Sequence, residues 1–162
     1  MGMERLAMVS QKKKTIFETD LFAPIVKATA KMLNMDAKGE GRGAPGDLRR
    51  MLYVAADHAR ALTFAIADGV IPSNEARGYV LRSILRRALL FAHRQGVTEP
   101  FLYKVSGEVV ELMRQWYPEV VAKREQAALI IKSEEERFLR TRDAGLERWQ
   151  SVLETHKRDG IV

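Results

Sequence analysis

ADHARALTFAIADGVIPSNEARGYVLRSILRRALLFAHRQG, residues 56–96, reads as two helices joined by a tight turn. The first ends an apolar segment in which Leu52, Ala55, Ala56, Ala59, Leu62 and Ile66 recur at helical spacing. It stops at Asp68-Gly69, because glycine accepts the left-handed conformation that closes a helix. Ile71-Pro72 makes the turn. Ser73 or Asn74 is then expected to cap a second helix. At about 100° per residue, Leu81, Ile84, Ala88, Phe91 and Ala92 share one face of that helix. Arg82 and Arg86 fall opposite, and Arg87 and Arg94 flank the stripe. Gly96 is the natural stop.

Outward from this pair, further helical periods fill the chain. Apolar residues at Met3, Leu6, Ala7 and Val9 predict a short N-terminal helix, and Lys12-Lys13-Lys14 an exposed connection. Asp20 is expected to cap a helix through Leu21, Phe22, Ile25, Val26, Ala30 and Leu33, with Pro24 tolerated in its first turn. Residues 36–47, DAKGEGRGAPGD, carry four glycines and a proline and read as a flexible loop. The next helix begins near Leu48. Downstream, Thr98 is expected to cap a helix whose inner side is Leu102, Val105, Val109, Leu112, Met113 and Trp116. Pro118 then opens a long helix toward His156, with Val121, Ala128, Ile131, Phe138, Leu146, Trp149 and Leu153 on one side and Gly145 as a weak point. No strand and no repeat is legible. The expected fold is all-α, a helical bundle with one long C-terminal helix.

Composition bounds the rest. The 162 residues suffice for one domain with a core, and 46% apolar with 30% charged is ordinary for a globular protein. The formal net charge of +6 favours an anionic partner. Without cysteine, disulfides and thiolate metal sites are excluded. No run approaches the roughly 20 apolar residues of a membrane span, so no membrane partner is expected. The N-terminus lacks the apolar core of a secretory signal, and a cytoplasmic protein is expected.

Charge concentrates on the second helix of the quoted stretch. Arg77, Arg82, Arg86, Arg87 and Arg94 lie in a segment with no acid between Glu75 and Glu99. Such a face suits a polyanion, or pairs with acids elsewhere in the fold. Arg82 and Arg86 could reach one phosphate backbone together. Arg77 falls on the apolar side and calls for a buried partner, such as Asp57 or Asp68, or for a ligand. Asn74 reads as a cap or as a base-edge contact, since an amide both donates and accepts. His58, His93 and His156 have no metal-ligand spacing and read as packed or surface residues. Glu134, Glu135 and Glu136 read as a solvated, salt-bridged helix face.

Three strings in the stretch resemble the alanyl-tRNA synthetases: Asp57-His58-Ala59-Arg60, Ala67 through Glu75, and Arg77 through Arg82. Two N-terminal segments add to the likeness. Gly2-Met3-Glu4-Arg5 resembles class II motif 3, and Phe17-Glu18-Thr19-Asp20-Leu21-Phe22 resembles the segment that follows it. The resemblance implies that residues 1–35 are the last helices of the aminoacylation domain, that 36–47 are a linking loop, and that 48–162 are a C-terminally incomplete tRNA-recognition domain. It implies ATP, with Mg²⁺, as cofactor of the parent enzyme, and Arg5 as a contact to the ATP phosphates.

The implied partners are the acceptor stem of tRNA(Ala) and the remainder of the synthetase. Asn74 would read the G·U pair, whose guanine amino group is left unpaired in the minor groove. Arg77, Arg82, Arg86 and Arg87 would grip the backbone or scaffold the site. The family's second reading residue, an Asp in a Tyr-Asp-Thr-Tyr-Gly-Phe-Pro motif, is not in this sequence. Motifs 1 and 2 are also absent, so no complete catalytic site and no metal site is expected, and the isolated chain is expected to be inactive. The alternative is a stand-alone helical RNA-binding module or protein-interaction scaffold.

Overall fold

The computed structural model describes residues 2–35 and 47–158, with side chains described to residue 155. Seven α-helices follow one another: α1 Met3–Ser10, α2 Ala23–Met32, α3 Asp47–Ala67, α4 Ala76–Arg94, α5 Leu102–Met113, α6 Pro118–Ala122 and α7 Arg124–Arg158. A 3₁₀ turn, Ile16–Glu18, joins α1 to α2. Among the described residues there is no strand, so the all-α expectation holds, long final helix included. None of these helices is long and apolar enough to cross a membrane. Most of the expected loop, 36–46, lies outside the described residues.

Helix α3 is the axis of the bundle and touches α2, α4, α5, α6 and α7. Its small residues make that possible. Ala55, Ala56 and Ala59 are fully buried beside Leu52 and Leu62, so neighbouring helices approach closely there. Phe22, Ile25, Val26 and Ala30 of the α2 segment join the same core, as do Leu102, Val105 and Val109 of α5. Both glycine stops are as the sequence reads. Gly69 has φ +88° and Gly96 has φ +86°. In each case the next residue donates back five positions, Val70 N–H to Ala65 O and Val97 N–H to Ala92 O, both under 3.2 Å, which closes the last turn.

The helix starts differ from expectation. Asp20 does not cap α2; its carboxylate accepts from the Gln11 side chain instead. Neither Ser73 nor Asn74 caps α4, whose N-cap is Glu75 without a side-chain bond. Thr98 does not cap α5, whose N-cap is Phe101. The free N–H groups there go to Glu135 of α7: its carboxylate accepts from Phe101 and Leu102 at 2.9 Å and from Tyr103 at 3.0 Å. A carboxylate brought from another helix thus does the work of a local cap. Glu135 is completely buried, which corrects the reading of residues 134–136 as a solvated face.

Further corrections concern a helix break and helix faces. The segment after Pro118 is broken at Lys123 into α6 and α7. On α4 the buried residues are Gly78, Leu81, Arg82, Leu85, Ala88, Leu89 and Ala92, so the inner face is rotated toward Leu85 and Leu89. Trp116 is 65% exposed, at the rim of an apolar cavity of about 660 Å³ that Met3, Leu21, Phe64 and Tyr117 also line. The outer half of α7 leaves the bundle: Leu146 and Trp149, expected on its inner side, are exposed.

Candidate nucleic-acid interface

The turn before α4 is held by close backbone approach. A Cβ added at Gly78 would overlap Ser73 Oγ and the Ile71 carbonyl, and would lie 2.8 Å from Ser73 N. Only glycine lets the 71–73 segment lie flat on the first turn of α4. Ser73 Oγ tightens the turn further by donating to Glu75 O at 2.9 Å. Asn74 is thereby presented at the surface.

Arg82 fixes how Asn74 is presented. It is 8% exposed, which corrects its expected place on the solvent side of α4. Its Nε and Nη2 donate to the two oxygens of Glu134 at 3.0 and 2.9 Å, a bidentate pair. Nη2 also donates to Pro72 O at 3.3 Å. Nη1 donates to Asn74 Oδ1. A guanidinium can only donate, so the Asn74 carbonyl oxygen faces inward and its amide nitrogen faces away. The missing acid for the arginine helix therefore comes from α7, 52 residues away in sequence. Sequence reasoning missed Glu134; its signal was present, but only as one of three adjacent glutamates.

The other arginines stay outside. Arg77 is exposed, and neither Asp57 nor Asp68 pairs with it among the described residues, which corrects the expectation of a buried partner. Arg86 is exposed and lies 5.9 Å from the centre of the Phe138 ring. Arg87 is exposed and borders a cavity of about 500 Å³ between α3 and α4. Arg94 lies 5.8 Å from the Phe91 ring. One buried, neutralised guanidinium and four outward ones leave α4 with a basic outer surface. Tyr79 and Ile71, both exposed beside Asn74 in sequence, add apolar area that the sequence did not single out.

At the N-terminus, Glu4 and Arg5 part company. Glu4 Oε1 accepts from Arg60 at 2.8 Å, and Arg60 covers the Phe22 ring at 4.1 Å. Its own backbone N–H, then Arg60, hold the Glu4 carboxyl below the ordinary carboxylate range. Two motif residues far apart in sequence thus tie α1 to α3. Arg5 is exposed. The cavity beside α1 is bordered by Glu4, Asp20, Asp57 and Arg60.

His58 Nδ1 faces Asp57 at 3.5 Å, and the imidazole holds the Asp57 carboxyl below its ordinary range. His93 Nδ1 lies 2.9 Å from Arg142, tying α4 to α7. No group of three potential metal ligands occurs among the described residues.

The family model described as tRNA synthetases class II (A) matches residues 1–161. The chain is 46% identical over 160 residues to an alanine–tRNA ligase of Lacticaseibacillus paracasei, covering 99% of the chain and 18% of that protein. It is 47% identical over 160 residues to the alanine–tRNA ligase of Pediococcus pentosaceus, with the same two coverages. For a Streptococcus pyogenes alanine–tRNA ligase the identity is 48% over 159 residues, or 98% of the chain and 18% of that protein. The chain thus spans less than a fifth of the length of these relatives. With the family model matching almost end to end, the chain belongs to the class II (A) tRNA synthetases.

Proposed function

We propose that this chain is the RNA-holding helical region of an alanine–tRNA ligase, an enzyme that joins alanine to tRNA(Ala) through an adenylate made from ATP with Mg²⁺. In this reading the chain grips the acceptor stem and carries no catalytic site of its own. Arg5 would contact the ATP phosphates only within a pocket completed by the rest of the synthetase, the second partner. Residues 1–35 would belong to the aminoacylation domain and 48–162 to the tRNA-recognition domain. The cytoplasm is the compartment where such an enzyme meets its tRNA.

The observation that carries the reading is the Asn74 amide, exposed on the surface while its oxygen is held by a buried, neutralised arginine. A side chain oriented at that structural cost is ready for a directional contact. With its oxygen engaged, Asn74 acts as a donor toward the acceptors that line a minor groove. The exposed guanine amino group of a G·U pair is itself a donor, so its acceptor comes from a second residue. Arg77, Arg86 and Arg87 supply backbone contacts, and Arg82 scaffolds.

The test is binding to an acceptor-stem hairpin with G·U, and to the same hairpin with G·C, at two salt concentrations. Binding should fall steeply with salt, and Arg86→Gln should lower the salt slope by about one. A G·U preference that Asn74→Ala removes would mark base reading by Asn74. Equal binding would leave a backbone grip alone. Indifference to RNA at low salt would displace the reading in favour of a protein scaffold.

A further inference from the structure

The cavity between α3 and α4 has no role in the reading above beyond its edge at Arg87. Helical spacing on α3 brings Arg49, Arg50, Tyr53, Asp57 and His58 to one side, and α4 contributes Arg87 opposite them. Phe17 closes one wall by stacking on Tyr53, with ring centres 4.2 Å apart and planes 11° from parallel. At about 500 Å³ the space holds a phosphate together with an attached sugar.

Its charge is unbalanced. Arg50 and Arg87 meet one carboxylate, Asp57, and that carboxylate faces His58. Arg50 lies against the Phe91 ring at 5.3 Å, and neither it nor Arg87 has an ion pair among the described residues. The aromatic wall lowers the local dielectric and strengthens any anion contact made there. His58 adds a second, independent sign. Its side chain is 14% exposed, yet Nε2 is buried and has no hydrogen-bond partner. A buried ring nitrogen left unpaired is costly, and a bound ligand would relieve it.

We propose that this cavity, walled by Arg50, Arg87 and His58, is a phosphate-binding site that takes a backbone phosphate of RNA lying along α4. The phosphate chemistry stands on these residues alone; RNA as its source rests on the function proposed above. Arg87 is eleven residues beyond the start of α4 at Ala76. At helical rise that sets the cavity about 16 Å from the Asn74 end, a span of a few nucleotides. One bound stem therefore touches both points, with the base contact at one end and a seated phosphate at the other.

The experiment uses the full 162-residue chain and has two arms. In the first, inorganic phosphate is titrated at fixed pH and ionic strength while the histidine ring resonances are followed by NMR, with chloride as control. Saturable movement of the His58 signals, weakened at least about fivefold in the Arg50→Gln/Arg87→Gln double variant, is expected. In the second, that variant should bind the acceptor-stem hairpin about five- to tenfold more weakly, equally for G·U and G·C, with a salt slope smaller by one to two. Both arginines are exposed, and circular dichroism checks that the variant folds.

Loss in the RNA arm upholds the proposal even if free phosphate binds too weakly to register. Phosphate binding with unchanged hairpin affinity overturns the RNA assignment and leaves a small-anion site. If wild-type chain ignores RNA, the function proposed above fails, and the phosphate arm alone decides whether the cavity binds anions. No response in either arm overturns the proposal.

Discussion

At Gly78 one missing methyl group decides where Asn74 sits. The Ile71–Ser73 segment occupies the space a Cβ would take, and two of the three nearest atoms there, the Ile71 carbonyl oxygen and Ser73 N, are backbone atoms that cannot swing aside. Gly78→Ala should therefore destabilise the chain by about 1–3 kcal/mol, as overpacking does. It should also shift the Asn74 amide resonances, because the turn must lift off α4. Urea denaturation and NMR check the two effects separately. A stability loss without a change at Asn74 would mean that the helix yields instead of the turn. From the sequence, Gly78 reads only as an interruption in a helix; its purpose depends on a backbone that the turn brings alongside.

Between elements, two glutamates of α7 hold the bundle's polar interior. Arg82→Ala would leave Glu134, whose side chain is 13% exposed, only its longer contact to Arg137 at 3.6 Å, and should cost up to about 3–5 kcal/mol. Adding Glu134→Ala should recover part of that loss, which a double-mutant cycle in urea measures. Glu135→Ala would leave three α5 N–H groups without an acceptor, at about 1–3 kcal/mol for each one that water cannot reach.

Glu135 also carries a pH signature. Burial pushes its carboxyl up to about 7 from an ordinary 4.5, against the pull of its three N–H donors. Between those values the folded chain holds more protons than the unfolded chain. The linked contribution to stability is therefore full below about 4.5 and is lost as pH rises through about 7. Denaturation across this range should show that decline in wild type and not in Glu135→Gln. Neither role is legible in Ser133-Glu134-Glu135-Glu136-Arg137, because acids on a helix mark a solvated face unless another helix covers them.

Over the whole molecule, α7 acts as a tie rod whose inner half is packed into the bundle. Ala127 and Ile131 are in the core, Glu134 and Glu135 bond to α4 and α5, and Arg142 meets His93. Beyond Arg142, Leu146 and Trp149 are exposed. Removing residues 144–162 should leave the melting temperature within a few degrees of the full chain while lowering the helical signal. A large drop would show that the outer half stabilises the bundle. Exposed Leu146 and Trp149 also give α7 an apolar edge.

What the chain determines by itself is local in its physics. Helices form where apolar residues recur, and they stop at Gly69 and Gly96, where only glycine turns left-handed cheaply; both were legible residue by residue. The core of α3 was legible too, since its alanines and leucines line one uninterrupted face. The face of α4 was not, because Arg82 reads as a solvent residue until Glu134 arrives to neutralise it. The start of α5 was not, because its cap comes from Glu135 rather than from Thr98. Likewise the cavity at Arg50, His58 and Arg87 exists only once α3 and α4 lie side by side. Charge can be buried when its partner is fixed in place, and that partner is chosen by packing between helices distant in sequence, so tertiary structure alone decides which polar residues turn inward.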